Sequence, residues 1–246
     1  MFSFARKNIG ERDEPLIIEK LVALRGKRAV SLGTINSVAN YLGSEYPDGI
    51  KSTQIMKAPA GAKRDVVINR KGYSLKSTRA APPAIVNHTT REKWTRVCGR
   101  VGVQIDMLDE MVSKYWELRT KGKIAEDVPV SNPRCPFGNT RKRLQYLKAL
   151  TNYFLFDGTG SEDARYPADC ILEFTDPSDE TTWRVWNRKT AFAHMWPKMV
   201  FSIRAKKGMP SNYRIMRDVK KKAQIAPWVR YIDGDYRGAL HVRTRR

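Results

Sequence analysis

The apolar residues of this chain change period along its length, and the changes mark out the elements. Over Pro15 to Arg25 (PLIIEKLVALR), Ile17, Leu21 and Leu24 fall at i, i+4 and i+7, one face of a helix. Pro15 suits the first turn, and Glu11, Asp13 and Glu14 lie where negative charge favours a helix start; Gly26 ends it. A second helix is expected over Thr34 to Leu42, and a strand over Ser52 to Lys57 closed by Ala58-Pro59-Ala60-Gly61. Two strands follow, Asp65-Val66-Val67-Ile68-Asn69 and Tyr73-Ser74-Leu75-Lys76-Ser77-Thr78, around a Lys71-Gly72 turn. After a break at Ala80 to Pro83 the chain turns helical from Thr89. Val103 to Arg119 is the longest helix candidate, with Ile105, Leu108, Val112, Tyr115 and Trp116 on its apolar side. Lys121 to Gly138 reads as a loop and Arg141 to Phe154 as a helix. Ala168 to Phe174, Thr182 to Trp186 and Val200 to Ala205 read as strands. Alternating helices and strands predict an α/β fold, a central mixed β-sheet flanked by helices, in a single domain over residues 1–246.

Composition narrows the class of partner. Of 246 residues, 41% are hydrophobic, enough to fill a core. Lys and Arg number 46 against 25 Asp and Glu, a formal charge of +21, and such an excess favours a polyanionic partner because each neutralised phosphate releases counterions. Cys98, Cys135 and Cys170 are scattered and form no CxxC, which argues against a disulfide framework and a zinc site. No run of about 18 apolar residues suggests a membrane span. The start, MFSFARKNIGERDE, lacks the apolar core of a secretory signal, so a cytoplasmic protein without membrane contact is expected.

The hairpin carries the chemistry. With Lys71-Gly72 as the two central turn residues, Arg70 faces Tyr73 and Asp65 faces Thr78; directly opposed residues share a face. Asp65, Val67, Asn69, Ser74, Lys76 and Thr78 then lie on one side. Asp65 and Lys76 become diagonal neighbours with Cα atoms roughly 7–8 Å apart. A three-residue turn would put them on opposite faces. Phosphodiester hydrolysis needs an activated water and stabilisation of charge on the phosphate and the leaving 3′ oxygen. A Mg²⁺ ion on Asp65 supplies part of both. Lys76 can orient or deprotonate the water, and the Leu75 carbonyl is a further candidate metal ligand.

Asp65, Ser74 and Lys76 resemble the PD-(D/E)XK nuclease signature, and the chain looks like a type II restriction endonuclease. The segment Ala81 to Thr89 is similar to the stretch after the lysine that approaches DNA in those enzymes. Two positions depart from the pattern: Arg64, not Pro, precedes Asp65, and Ser74 stands where the family has Asp or Glu. The resemblance implies a restriction-endonuclease-like fold and a second carboxylate supplied from an N-terminal helix. Glu19 is the candidate, with Glu14, Glu45 and Glu110 as alternatives. It also implies catalytic Asp65, Ser74, Lys76 and Glu19, metal ligation by Asp65, Glu19 and Leu75, double-stranded DNA as substrate, 5′-phosphate products, a homodimer and a cognate DNA methyltransferase in the host.

Basic and polar clusters supply candidate DNA contacts. Arg79, Asn87, His88, Thr89, Arg91 and Lys93 surround a helix entry, where Asn or Arg can read base edges and backbone N–H groups can meet a phosphate. Arg141, Lys142 and Arg143, then Arg204, Lys206 and Lys207, form runs suited to phosphates, with Lys220 to Lys222 and a His241 to Arg246 tail as further positive charge. Asp169 and Glu173 share a strand face, but no lysine follows at the expected spacing, so they read as turn and strand-edge acids. The alternative to a nuclease is a non-catalytic basic nucleic-acid-binding protein.

Overall fold

The computed structural model describes residues 9–23, 55–59, 61–68, 70–79, 84–179, 182–205, 222, 226 and 228–245. In chain order the elements are α1 (Ile9–Ala23), β1 (Met56–Lys57), β2 (Val66–Ile68), β3 (Lys71–Ser77), β4 (Ala84–Thr90), α2 (Arg91–Arg100), α3 (Asp106–Thr120), β5 (Val128–Pro129) and α4 (Arg141–Asn152). After a π-helical turn at Tyr153–Asp157 come β6 (Cys170–Phe174), β7 (Arg184–Asn187), α5 (Ala191–Met195), β8 (Met199–Arg204), β9 (Arg230–Ile232), β10 (Asp235–Arg237) and β11 (Ala239–Thr244). The fold is mixed α/β, and the chain divides into two compact units, each with its own sheet.

The first unit comprises residues 1–83, Leu155–Asp157 and Ala164–His194. Its five-stranded sheet runs β1-β2-β3-β6-β7 and is mixed: β3 and β6 are parallel and the other pairs antiparallel. The parallel pair requires a long crossover, and the chain builds much of the second unit between the two strands. Alternation along the strands sorts the two faces. Val66, Ile68, Tyr73, Cys170, Leu172, Phe174 and Val185 form one core with Ile17 and Leu21 of α1. Asp13, Ile17 and Leu21 recur every four residues and are all buried, so this stripe meets the sheet. Ser74 and Lys76 of β3, Ile171 and Glu173 of β6, and Trp186 of β7 take the other face, because paired residues share a side.

The second unit comprises Ala84–Phe154, Gly158–Asp163 and Met195–Arg246. Its antiparallel sheet runs β4-β11-β8-β5 and is accompanied by α2, α3, α4 and a small β9–β10 ribbon. Residues 84–90, expected to lead into a helix, form β4 before α2 begins at Arg91. The stretch read as a basic tail from His241 instead lies in β11, paired on both edges, because its alternation Leu240, Val242 against His241, Arg243 is that of a strand. The helix expected over Thr34 to Leu42 lies outside the described residues.

Leu172 is fully buried in the interior strand β6. Replacing it with Ala removes three carbons from a packed site, and chemical denaturation should show a loss of roughly 2–5 kcal/mol.

Candidate functional site

The hairpin keeps its two-residue turn but shifts it. Ile68 pairs with Lys71 and Val66 with Tyr73, so two residues, the second being Arg70, lie between the strands. Arg70 takes a positive φ of 67°, as such turns require. Tyr73 thus faces Val66 instead of Arg70, a displacement of four residues. Because the displacement is even, no side chain changes face.

Asp65 stands where β2 ends while β3 continues. Its N–H donates to the Tyr73 carbonyl at 2.8 Å, one residue out of step with the ladder. Its Oδ2 accepts the Leu75 N–H at 2.6 Å and the Ser74 hydroxyl at 3.3 Å. The Leu75 N–H has no strand partner on that side, and the carboxylate takes the place of one. A strand residue's N–H and C=O point the same way, so the Leu75 carbonyl also faces the Asp65 edge. Close approach of backbones underlies the arrangement: a Cβ on Gly72 would meet the Arg64 side chain at 2.6 Å and the Pro167 carbonyl at 3.3 Å.

A second lysine joins this group. The Lys63 backbone N–H is fixed to the Tyr166 carbonyl at 2.9 Å. Burial and the neighbouring Lys76 charge pull its amine down to about 8, against the opposing pull of Asp65 and Asp157. Asp157 is held in turn by both guanidinium nitrogens of Arg188, at 2.8 and 2.6 Å. Sequence reasoning missed Lys63 because it sits in a loop with no periodicity, two residues before the acid.

On β6, Glu173 pairs in register with Lys76 and so lies beside it on the same face. Its Oε2 accepts the Trp186 indole N–H at 3.1 Å and lies 2.7 Å from His194 Nε2. The imidazole stacks on Trp186, centroids 3.7 Å apart and 13° from parallel. This is not an edge acid facing solvent. Asp169, its companion in sequence, instead accepts the Gly72 N–H at 2.7 Å.

Glu19 does not occupy the place expected of it. It lies two residues from both Ile17 and Leu21, about 200° around the helix, and is exposed. The acid of α1 that reaches the sheet is Asp13, which accepts the Ser77 hydroxyl at 3.1 Å and pairs with Arg79 at 2.5 Å. Glu14 pairs with Lys57 and Glu110 with Arg143; Glu45 lies outside the described residues.

In the second unit, several candidate DNA contacts are engaged by protein groups. Arg91 grips Asp109 through two nitrogens at 2.8 and 2.5 Å. Lys93 bonds the Ser161 hydroxyl, and Arg143 reaches Asn139 and Glu110. Arg204 pairs with Asp127 and Glu126. Thr89 is buried and donates to the Asn87 carbonyl, and Thr90, the N-cap residue of α2, makes no side-chain cap bond. Asn87, Arg141 and Lys142 are exposed; Lys206 and Lys207 lie outside the described residues. The register between β4 and β11 slips by one residue opposite His241, and His88 adopts a positive φ of 39° in this bulge. The slip brings the His88 and His241 rings to 4.8 Å, edge to face.

No family model, no curated protein and no solved structure matches this chain.

Burial, His88, Arg204 and Arg243 hold His241 down to about 4 against the opposing Asp127, and its Nδ1 is buried without a hydrogen-bond partner. Between pH 6.5 and about 4 the unfolded chain takes up a proton that the folded chain refuses. This contribution to stability is therefore intact above pH 6.5 and lost progressively as pH falls to about 4. Melting temperature measured across that window should fall in the wild type and fall less in His241→Gln.

Proposed function

We propose that the chain is a Mg²⁺-dependent endonuclease that cuts double-stranded DNA at a short specific site and leaves 5′-phosphates, similar to type II restriction enzymes of the PD-(D/E)XK group. The observation that carries this reading is the Asp65 carboxylate clasped to Ser74 and the Leu75 N–H, immediately before Lys76 on the same strand. The +21 charge supports a polyanionic substrate. On this reading the fold is restriction-endonuclease-like and the protein acts in the cytoplasm as a homodimer, since two-fold assemblies suit palindromic sites. A cognate methyltransferase protects the host DNA.

The donors available to Mg²⁺ suit an ion that commonly takes one or two carboxylates and completes its shell with water and substrate phosphate. They are the Asp65 carboxylate and the Leu75 carbonyl, with Ser74 bracing the carboxylate rather than replacing the missing acid. When bound, Mg²⁺ lowers the pKa of water and polarises phosphoryl oxygens. Lys76 orients the attacking water and offsets charge building on the phosphate. Lys63 adds a second positive group at the same place and so favours binding of the scissile phosphate.

The alternative reading is a basic nucleic-acid-binding protein without catalysis. It draws on one feature: among the described residues, no three His, Cys, Asp or Glu side chains converge as a metal cage.

Incubation with phage-length DNA, with Mg²⁺ or with EDTA, separates the two. Discrete fragments that need Mg²⁺, and a fall of at least about 100-fold in Asp65→Asn and Lys76→Ala, are expected. DNA retarded in a gel but never cut would support the binding protein. Cutting that survives both substitutions would remove the hairpin from the mechanism.

A further inference from the structure

We propose that His194 is the proton donor to the 3′ oxygen that leaves when the phosphodiester bond is cut. The inference rests on the nuclease reading and adds to it a residue outside the hairpin.

The sheet face carrying Lys76 continues across β6 to β7. Lys76 and Glu173 are paired in the β3–β6 register, so their backbones stand about one strand spacing apart, roughly 4.8 Å. Trp186 follows on β7, paired with Ile171. His194, in α5 shortly after β7, reaches Glu173 at 2.7 Å while its ring lies flat on Trp186 at 3.7 Å. Trp186 donates to the same Glu173 oxygen at 3.1 Å. Glu173 is therefore fixed by two donors, and the imidazole is fixed by a hydrogen bond at its edge and a stack on its face. His194 and Glu173 each keep 17% of their side-chain surface open, enough for a substrate atom to approach. The remaining charged group on the adjoining strand at this level is Arg184, paired with Glu173 in the register.

In-line displacement places the attacking water and the leaving oxygen on opposite sides of phosphorus. A site with Lys76 at the water therefore needs a proton source displaced from it across the sheet. Imidazole exchanges protons near neutral pH and commonly serves this role. In the step, the water oxygen bonds to phosphorus and the P–O3′ bond breaks with its electron pair on O3′. The proton on His194 Nδ1, the ring nitrogen not bonded to Glu173, passes to O3′; the proton of the water is released to solvent, and Nδ1 is reprotonated from bulk water. Glu173 acts as a positioning residue, holding the ring and balancing the imidazolium.

The test compares two duplexes at a cleavage site mapped with the wild type. One carries the ordinary linkage, and in the other sulfur replaces the bridging 3′ oxygen. A thiolate leaves without a proton. His194→Asn and His194→Gln should cut the oxygen substrate about 100-fold more slowly than wild type, the size expected for loss of a general acid. They should cut the sulfur substrate within about threefold of it. Glu173→Gln, which keeps the side chain's shape, should show the same dependence on the leaving group and serves as the test if the His194 variants melt early. Equal losses on both substrates, or no loss on either, overturn the assignment. If the wild-type protein cuts neither duplex, the nuclease reading itself falls, and this inference with it.

Discussion

Much of the first unit turns on one unequal pair of strands. β2 stops at Ile68 and reaches back only to Val66, while β3 runs on to Ser77. On the β2 side, Leu75 consequently has an N–H with no backbone acceptor, and a buried donor left unmet is costly. Asp65 meets it with a carboxylate, an interaction worth roughly 1.5–3 kcal/mol for a charged acceptor. The same bond decides where the acid points: toward Ser74 and the Leu75 N–H, and not into solvent at the strand edge. What stabilises the sheet margin thus also assembles the candidate site. The site adds little to the fold's demands beyond the lysines placed beside the acid.

The positive charge of the chain is used in two ways. In the second unit several arginines are engaged by acids: Arg91 by Asp109, Arg204 and Arg243 by Asp127, Arg237 by Glu126. Asp127, between two guanidinium groups, is held below the usual carboxylate range although its burial acts the other way. These pairs fix loops and strand ends. In the first unit, by contrast, the charge of Lys76 lies close enough to disfavour that of Lys63. Asp65 and Asp157 act in the opposite sense on Lys63 without cancelling the effect of its burial and of Lys76.

Part of the site could be read in advance because local rules governed it. A two-residue turn fixes the parity of a hairpin, so Asp65, Ser74 and Lys76 were assigned to the right face even though the turn was placed two positions late on the chain. The helical period likewise identified Ile17 and Leu21 as the inward stripe of α1. The same period, carried one step further, places Asp13 toward the sheet and Glu19 away from it. Strand β4 was hidden because Asn87, His88 and Thr89 break its alternation at a bulge. That bulge exists only because β11, 150 residues later in the chain, pairs beside it.

Hydrophobic periodicity and turn length, which act between neighbours in sequence, determined by themselves α1 to α4, the strands of the first unit, β8 and the face on which the hairpin presents its polar residues. Charge composition, equally independent of folding, fixed the formal charge of +21 on which the proposal of a polyanionic partner draws. What only the tertiary structure decided was which distant groups share that face. Glu173 comes beside Lys76 through a parallel pairing whose two strands are nearly 100 residues apart, and His194 comes to Glu173 by stacking on a third strand. Neither juxtaposition leaves a periodic trace in the chain, because a parallel ladder joins segments whose spacing is set by the length of the crossover and not by any local repeat.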